Sequence, residues 1–240
     1  SVGIAEQGNR AQDIAAVRVL ERLTRSYLAK YGFHTCTVST VFHQYMAAFP
    51  TDIRKARDLI VNSSTTCTLA GATRIMTKTP VESIHIPTRQ DNAEGLDLTK
   101  KGIEQAFDST FDRNRVQEEM GLLEKQVKAV MGVVEKLGQG SIARGALRAF
   151  QDGILDVPFS PSIYNRNRLL TAKDRDGAIR FVNPEIMPFD NQMCDIHREK
   201  IQERMVLDRA TRIYELLEKD LTRIWKNDFK QWPLDGIYLS

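Results

Sequence analysis

The amino-acid sequence predicts an α/β protein in which a parallel sheet with its covering helices is followed by a helix-rich α+β domain with a small hairpin. Three observations predict this class. Over the first hundred residues, short runs rich in β-branched residues alternate with segments of helical periodicity. Residues 97–150 are then almost wholly helical in pattern, and residues 170–182 have the character of a hairpin. We therefore expect one domain over residues 1–95 and a second over residues 96–240.

The first elements are a strand end, a long helix and a second strand. Residues 2–5 have the composition of the last part of a strand. Asn9 is placed to cap a helix that Gly32 ends, since asparagine favours helix starts and glycine favours the left-handed conformation of helix ends. Residues 35–42 are rich in valine and threonine, which favours a strand. The helix between them has apolar residues at helical spacing, namely Ile14, Val17, Leu20, Leu23 and Leu28.

A second helix and a third strand follow. Thr51 is placed to cap a helix that Gly71 ends, and residues 74–77 are short enough to form a buried parallel strand. Strands that alternate with helices of this length form βαβ units and a parallel sheet. An open doubly wound sheet and a closed barrel give the same local pattern, so the pattern by itself leaves both architectures open.

The second domain is predicted from an apolar stripe and from turn residues. Gly138 to Ser141 interrupt the helical pattern, and Ser141 is placed to cap the helix that follows. Asp176-Gly177 is typical of a hairpin turn. A charged helix is predicted from about Asp195 to Lys226. The stripe before the interruption consists of Val127, Val130, Val133, Val134 and Leu137.

Composition and charge argue against several classes of protein. The net charge is only +3, with basic and acidic residues interspersed, so no concentrated basic face for nucleic acid is expected. No apolar run approaches the roughly 20 residues that span a bilayer, and no signal-peptide pattern opens the chain. Cys36, Cys67 and Cys194 lack metal-ligand spacing, which favours a reducing cytoplasm and no metal site. Because Ser1 comes first, we expect a processed, split or incomplete chain, or one that has lost its initial methionine.

The segment from Lys78 to Glu82 has two interpretations. In the first, Thr79 caps a helix, Pro80 is its first residue and Glu82 completes a capping box, so Lys78 faces solvent at a strand end. In the second, Lys78 and Glu82 lie over the carboxyl end of a strand, where an amine donor and a carboxylate acceptor bind the neighbouring hydroxyls of a ribose. Glu82 is compatible with both interpretations.

Four segments of the chain, in the same order, resemble segments of one known family. Two are Phe42-His43-Gln44-Tyr45-Met46-Ala47-Ala48-Phe49-Pro50 and the stretch from Lys78 to Thr88. The other two are residues 6–16 and residues 156–165. Through them the chain resembles the carboxyl-terminal half of the catalytic epsilon subunit of glutamate mutase, also called methylaspartate mutase. Several independent segments in order are far more specific than any single motif.

The resemblance implies a fold and a reaction. The implied fold is the carboxyl-terminal portion of a TIM-type (β/α)8 barrel over residues 1–95, followed by the helix-rich domain. The implied reaction depends on adenosylcobalamin, whose adenosyl radical abstracts hydrogen from L-glutamate before the carbon skeleton rearranges to 3-methylaspartate. Since the chain resembles only the back half of the catalytic subunit, we expect it to be inactive alone.

The resemblance also implies which residues bind the cofactor. Lys78 and Glu82 are expected to hold the ribose of the adenosyl group, with Ile86 packed nearby. Phe49 is expected to contact the cofactor, and Met46 to line the cavity. The resemblance assigns no catalytic residue within residues 1–240.

Two further functions are expected to come from other polypeptides. In the family, a separate small cobalamin-binding subunit ligates the cobalt; Asp195-Ile196-His197 resembles the start of its signature, but Lys200 occupies the glycine position, so no cobalt site is expected here. The arginines that bind glutamate lie on the front strands of the family's barrel, so a front-half barrel polypeptide or a missing N-terminal region is an expected partner. Four arginines here are instead expected to face solvent, namely Arg10, Arg54, Arg74 and Arg89.

The role of the chain is left open between two hypotheses. In one, it is the back half of a mutase; in the other, it is a non-catalytic remnant or an interaction module without the substrate-binding half. About three strands are predicted before residue 95, whereas a complete barrel has eight. An exposed sheet edge favours association with another polypeptide. His43, near the proposed site, is either a hydrogen-bonded structural residue or a general base.

Overall fold

The computed structural model describes residues 1–222, which form an α/β protein, as the sequence predicted. Residues Pro184–Ile186 form a 3-10 turn. None of the helices in this part of the chain is long and apolar enough to cross a bilayer. The elements in order are β1 (Val2–Ala5), α1 (Arg10–Lys30), β2 (Thr40–His43), α2 (Ile53–Ala70), β3 (Arg74–Met76), α3 (Arg89–Ala106), α4 (Arg113–Gly138), α5 (Ile142–Asp152), β4 (Thr171–Lys173), β5 (Ile179–Phe181), α6 (Asn191–Asp208) and α7 (Ile213–Thr222).

The first sheet is parallel and has the strand order β1-β2-β3. Ala5 pairs with His43, and His43 pairs with Met76, so the three strands end together. We call this end of the sheet the carboxyl edge. Residues that follow parallel strands meet at such an edge, where α/β proteins bind their ligands. Three parallel strands are present among residues 1–222, and the complete barrel stays a prediction.

The strands differ from their predicted bounds and burial. Strand β2 begins at Thr40, later than predicted, and is the central strand, so Phe42 is completely buried. The parallel strand predicted over residues 74–77 forms as β3, but the prediction that it is buried is wrong, because Arg74 and Met76 are both exposed. The physical reason is that β3 is an outer strand, which pairs only with β2 within the described residues.

The helices of the first half begin and end at residues with capping chemistry. Asn9 caps α1 as predicted, and its side chain accepts the N–H three residues further on at 2.9 Å. Helix α2 is capped by Asp52 rather than by Thr51, because the Asp52 carboxylate accepts two backbone N–H groups of the first turn. Gly71 ends α2 in the left-handed conformation, with a φ of 79°.

A buried apolar cluster joins the loop after β2 to α2. Tyr45 and Phe49 of the loop are both at most 5% exposed, and Leu98 of α3 packs against the cluster. Burying side chains of this size stabilises the fold by roughly 1.5–3 kcal/mol each. The cluster therefore fixes the loop to the helix. Its α2 members are Ala56, Leu59 and Ile60.

The chain divides into two compact units. Within the described residues, residues 122–218 form one unit, and residues 1–121 with residues 219–222 form the other. The change of sequence character between residues 95 and 96 falls within α3. As a domain boundary, that position stays a prediction.

The second unit contains the hairpin near residues 170–182. Strands β4 and β5 are antiparallel, and Gly177 in the turn has a φ of 83°. Asp174 organises the turn: one carboxylate oxygen accepts two N–H groups of the turn, and the other lies 2.8 Å from Arg180 Nε. Burial raises the pKa of Asp174, although Arg180 opposes this shift. The hairpin is thus stabilised by a buried ion pair as well as by its turn residues.

The prediction of one charged helix from Asp195 to Lys226 is wrong within the described residues. Helix α6 begins at Asn191 and ends where Arg209 adopts a left-handed conformation with a φ of 51°. Helix α7 follows after a short turn. The predicted helix end at Lys226 lies outside the described residues.

Candidate functional site

Two loops lie side by side at the carboxyl edge. We call residues 44–52, after β2, the first edge loop, and residues 77–88, after β3, the second edge loop. The Lys78 N–H donates to Gln44 Oε1 at 2.6 Å, and the Ser83 hydroxyl donates to the carbonyl of Pro50 at 2.7 Å. These two hydrogen bonds hold the loops together, so residues predicted from separate segments share one region.

Lys78 and Glu82 form an ion pair on the second edge loop. Lys78 Nζ lies 2.5 Å from Glu82 Oε1, and the two side chains are 22% and 32% exposed. The pair therefore presents ammonium donors and carboxylate acceptors at one partly exposed place. This combination suits a ligand with neighbouring hydroxyl groups, because one hydroxyl donates to the carboxylate and the other accepts from the amine.

The capping box predicted over Thr79 and Glu82 is not formed. The Glu82 N–H donates to the backbone carbonyl of Thr79 at 3.1 Å, and a single turn follows instead of a helix. The Thr79 hydroxyl is buried without a hydrogen-bond partner among residues 1–222. A capping box does form nine residues later, where Thr88 and Asp91 start α3. Glu82 is thus engaged by Lys78 rather than by the backbone.

Apolar side chains on the two loops are exposed beside this pair. Ile86 is 90% exposed and Met46 is 56% exposed. Met76 and Ile84 are also more than half exposed. Met46, Ile84 and Ile86 of the two loops, with Met76 at the end of β3, leave apolar surface that a ligand or partner would remove from water. Their exposure is compatible with the predicted roles of Ile86 and Met46.

Phe49 lies in a different environment from the other predicted residues. It is buried in the cluster with Tyr45 and α2 and has only 4% of its surface exposed. Burial, followed by the charge of Glu6, raises the pKa of Tyr45 well above its usual range. In this structure Phe49 anchors the first edge loop, and its direct contact with a cofactor stays a prediction.

A buried polar network follows β1. Glu6 accepts a hydrogen bond from the Ser63 hydroxyl, and Arg10 donates to Asn62 and, at 3.2 Å, to Thr66. The prediction that Arg10 faces solvent is wrong, because α2 packs a row of small polar side chains against the start of α1. The other three arginines are exposed, as predicted, namely Arg54, Arg74 and Arg89.

Gln44 is a residue that the sequence did not single out. It is completely buried, and it links the first edge loop to the backbone of Lys78 and to both α2 and α3. Its partners are 16 to 55 residues away along the chain, so no local pattern could have identified it. The only available signal was a polar residue immediately after a strand.

The candidate cobalt signature is part of the core of the second unit. His197 is buried, its Nδ1 accepts the Phe181 N–H at 3.2 Å, and its ring contacts two phenylalanines. Its Nε2 lies 2.6 Å from the Gln126 amide. Within the described part of the chain, no group of three or more His, Cys, Asp or Glu residues is placed to hold a metal ion. His43 is half-buried at the end of β2, and its role stays open.

The fold and the site thus define an α/β protein with a charged pair and apolar side chains at the carboxyl edge of a parallel sheet. The family model described as Methylaspartate mutase E chain matches residues 1–229. The chain belongs to this family, which confirms the resemblance found in the sequence.

Curated relatives agree with the family model. The glutamate mutase epsilon subunit of Treponema denticola is 38% identical over 210 residues, which cover 87% of this chain and 43% of that protein. That of Desulfitobacterium hafniense is 38% identical over 208 residues, covering 85% and 42%. That of Escherichia coli O157:H7 is 33% identical over 225 residues, covering 93% and 47%. The chain therefore spans less than half the length of these relatives.

Proposed function

We propose that this chain is the back half of the catalytic subunit of an adenosylcobalamin-dependent glutamate mutase, which converts L-glutamate to 3-methylaspartate. The Lys78–Glu82 pair at the carboxyl edge carries this proposal. Membership of the family supports it, because the curated relatives are epsilon subunits of glutamate mutase. The same membership favours the carboxyl-terminal portion of a TIM-type barrel as the architecture of residues 1–95.

The residues at the carboxyl edge fit an adenosyl group. The Lys78 ammonium donates to one ribose hydroxyl and the Glu82 carboxylate accepts from the other. Ile86 and Met46 have exposed apolar surface for the base and the methylene carbon. The buried Thr79 hydroxyl, without a partner in residues 1–222, is a further polar atom within the same loop. Phe49 anchors the first edge loop in the buried cluster with α2. Its contact with the cofactor is part of the proposal.

The chemistry is divided between the chain and its partners. Adenosylcobalamin, when bound, supplies an adenosyl radical by homolysis of its cobalt–carbon bond. The residues of this chain orient the nucleoside and exclude water from one side of it. A small cobalamin-binding subunit ligates the cobalt, and the front half of the barrel supplies the arginines that bind glutamate. Since both functions are assigned to other polypeptides, we expect the chain alone to be inactive.

One observation favours a second candidate function. The parallel sheet within residues 1–222 has three strands, and β1 and β3 each pair on one side only. A strand with an open side pairs readily with a strand of another chain. The alternative is therefore a non-catalytic interaction module that retains the family's sequence.

The test is the formation of 3-methylaspartate from glutamate with adenosylcobalamin and a cobalamin-binding subunit. The assay is run with and without a polypeptide that carries the front strands of the barrel. Turnover only in the presence of that polypeptide supports the split mutase. Absence of turnover in both mixtures, with the chain shown to be folded by circular dichroism, would favour the interaction module.

A further inference from the structure

The backbone of Lys78 is held from two sides. On one side, its N–H donates to Gln44 Oε1 at 2.6 Å. On the other side, α3 approaches so closely that a Cβ atom at Gly95 would lie 2.5 Å from the Lys78 carbonyl oxygen. Cβ atoms are not found that close to an oxygen, so only glycine at position 95 leaves Lys78 where it is.

Gln44 is itself fixed by both neighbouring helices. Its Nε2 lies within hydrogen-bond distance of Ser64 Oγ (2.8 Å) and of the carbonyl of Ile60 (3.3 Å), both on α2. It also lies 3.2 Å from Thr99 Oγ1 on α3. The Gln44 side chain is completely buried, and its amide NH2 group is bound by both helices. These contacts fix the position of Gln44 Oε1.

Thr99 connects the two supports of Lys78. Its hydroxyl lies 2.9 Å from the carbonyl of Gly95 and 3.2 Å from Thr77 Oγ1, the residue before Lys78. Gln44, Thr99 and Gly95 therefore form one connected support for the start of the second edge loop. The turn from Thr79 to Glu82 begins directly after the fixed backbone of Lys78. The position of the Lys78–Glu82 pair therefore depends on these contacts.

We propose that Gln44 and Gly95 are positioning residues that set the place of the Lys78–Glu82 pair for the ribose of the adenosyl group. This inference rests on the proposed function for its ligand. The claim that Gln44 and Gly95 position Lys78 depends only on the contacts of Lys78. A displaced Lys78 backbone moves the amine away from Glu82, and the pair then no longer presents both groups at one place.

The test compares two helical glycines. Gly95→Ala introduces a methyl group against the Lys78 carbonyl, whereas Gly145→Ala on α5 introduces one 2.0 Å from the carbonyl of Val134 on α4. Both variants crowd a backbone oxygen and lower stability, but only the first acts on Lys78. The first readout is the acetylation rate of Lys78 in the intact chain, measured by mass spectrometry. The second readout is the affinity for 5′-deoxyadenosine, measured by calorimetry.

We expect Gly95→Ala to raise the acetylation rate of Lys78 roughly two- to fivefold, the range that a partly exposed ion pair supports. We expect it also to weaken nucleoside binding by about tenfold, the effect of one misplaced charged hydrogen bond. Gly145→Ala leaves both quantities at the wild-type value. An acetylation rate equal in the two variants would overturn the inference. Failure of the wild-type chain to bind the nucleoside, with the acetylation difference present, would instead count against the proposed function.

A second pair of variants covers the case in which Gly95→Ala does not fold. Gln44→Met removes the acceptor of the Lys78 N–H at nearly constant volume, and the control Thr65→Val removes a buried hydroxyl of α2 that donates to the carbonyls of Val61 and Gly102 and not to Gln44. We expect faster acetylation of Lys78 in Gln44→Met and the wild-type rate in Thr65→Val. Equal rates in both variants would again contradict the positioning role.

Discussion

Lys78 and Glu82 lie four residues apart and form an ion pair with an N–O distance of 2.5 Å, although the segment between them is a turn rather than a helix. In a helix, such a pair contributes a few tenths of a kcal/mol to stability. Here the turn presents it at the carboxyl edge, beside exposed apolar side chains. The pair is therefore better placed to bind a ligand than to stabilise the fold.

The ion pair is predicted to matter little for stability. Lys78→Met and Glu82→Gln are each expected to change the free energy of unfolding by less than about 1 kcal/mol, because both side chains are partly exposed. Urea denaturation monitored by circular dichroism measures this. A loss of several kcal/mol in either variant would assign the pair to the core of the fold instead.

Thr79 is predicted to tolerate loss of its hydroxyl. Thr79→Val removes a buried oxygen without a partner among the described residues, so the free energy of unfolding stays unchanged or rises by up to about 1 kcal/mol. Thr99→Val is the matched control, because its hydroxyl has hydrogen-bond partners on three sides, and it is expected to lose about 1–3 kcal/mol. Equal losses in both variants would show that the Thr79 hydroxyl has a partner.

Asp156 is predicted to stabilise the second unit in a pH-dependent way. Burial opposes its ionisation, but four backbone N–H groups of residues 166–169 donate to its carboxylate and lower its pKa. Since the pKa is lower in the folded state, the stabilisation is present above the unfolded pKa of about 4 and is lost as the pH falls through the folded value. Asp156→Asn is therefore expected to cost about 2 kcal/mol at pH 7.

The check on Asp156 is urea denaturation between pH 7 and the acid transition. The difference between wild type and Asp156→Asn is expected to shrink as the pH falls below about 4. Asp152→Asn, an exposed aspartate at the end of α5, serves as the control for the lost charge. A difference that stays constant with pH would exclude the carboxylate as its source.

The three thiols are predicted to react at very different rates. Cys36 is exposed, whereas Cys67 and Cys194 are buried, and no cysteine is in a disulfide. Burial, followed by the charge of Glu6, raises the pKa of Cys67 to about 12, and burial also raises the pKa of Cys194. The Cys36 thiol is expected to react rapidly with an aromatic disulfide at pH 8, whereas the Cys67 and Cys194 thiols react only after unfolding. Fast reaction that persists in Cys36→Ser would contradict this burial.

Local chemistry was sufficient to predict the start of α1, the end of α2 and the hairpin. Asn9 caps α1 and Gly71 ends α2, because these residues act on N–H and C=O groups only a few positions away. The Asp176-Gly177 turn joins β4 and β5 for the same reason. The cap of α2 was predicted one residue too early, at Thr51, whereas Asp52 caps the helix.

Long-range packing decided what the sequence could not. The capping box at Thr79 does not form, because Glu82 pairs with Lys78 at a position that Gln44 and α3 determine. Arg10 is buried, because its partners come from a helix more than fifty residues further along the chain. Both outcomes depend on contacts between distant elements, which periodicity and capping rules do not contain.

The most direct test of the account measures the adenosylcobalamin concentration that gives half-maximal turnover in the complete mixture of chain, front-half polypeptide and cobalamin-binding subunit. Lys78→Met and Glu82→Gln are compared with Arg57→Met and Glu94→Gln, which break an exposed ion pair of equal length between α2 and α3. We expect the concentration to rise at least roughly tenfold for the first two variants, as for a lost charged hydrogen bond, and to stay unchanged for the controls. An unchanged concentration in Lys78→Met and Glu82→Gln would contradict the assignment of the adenosyl site to the carboxyl edge.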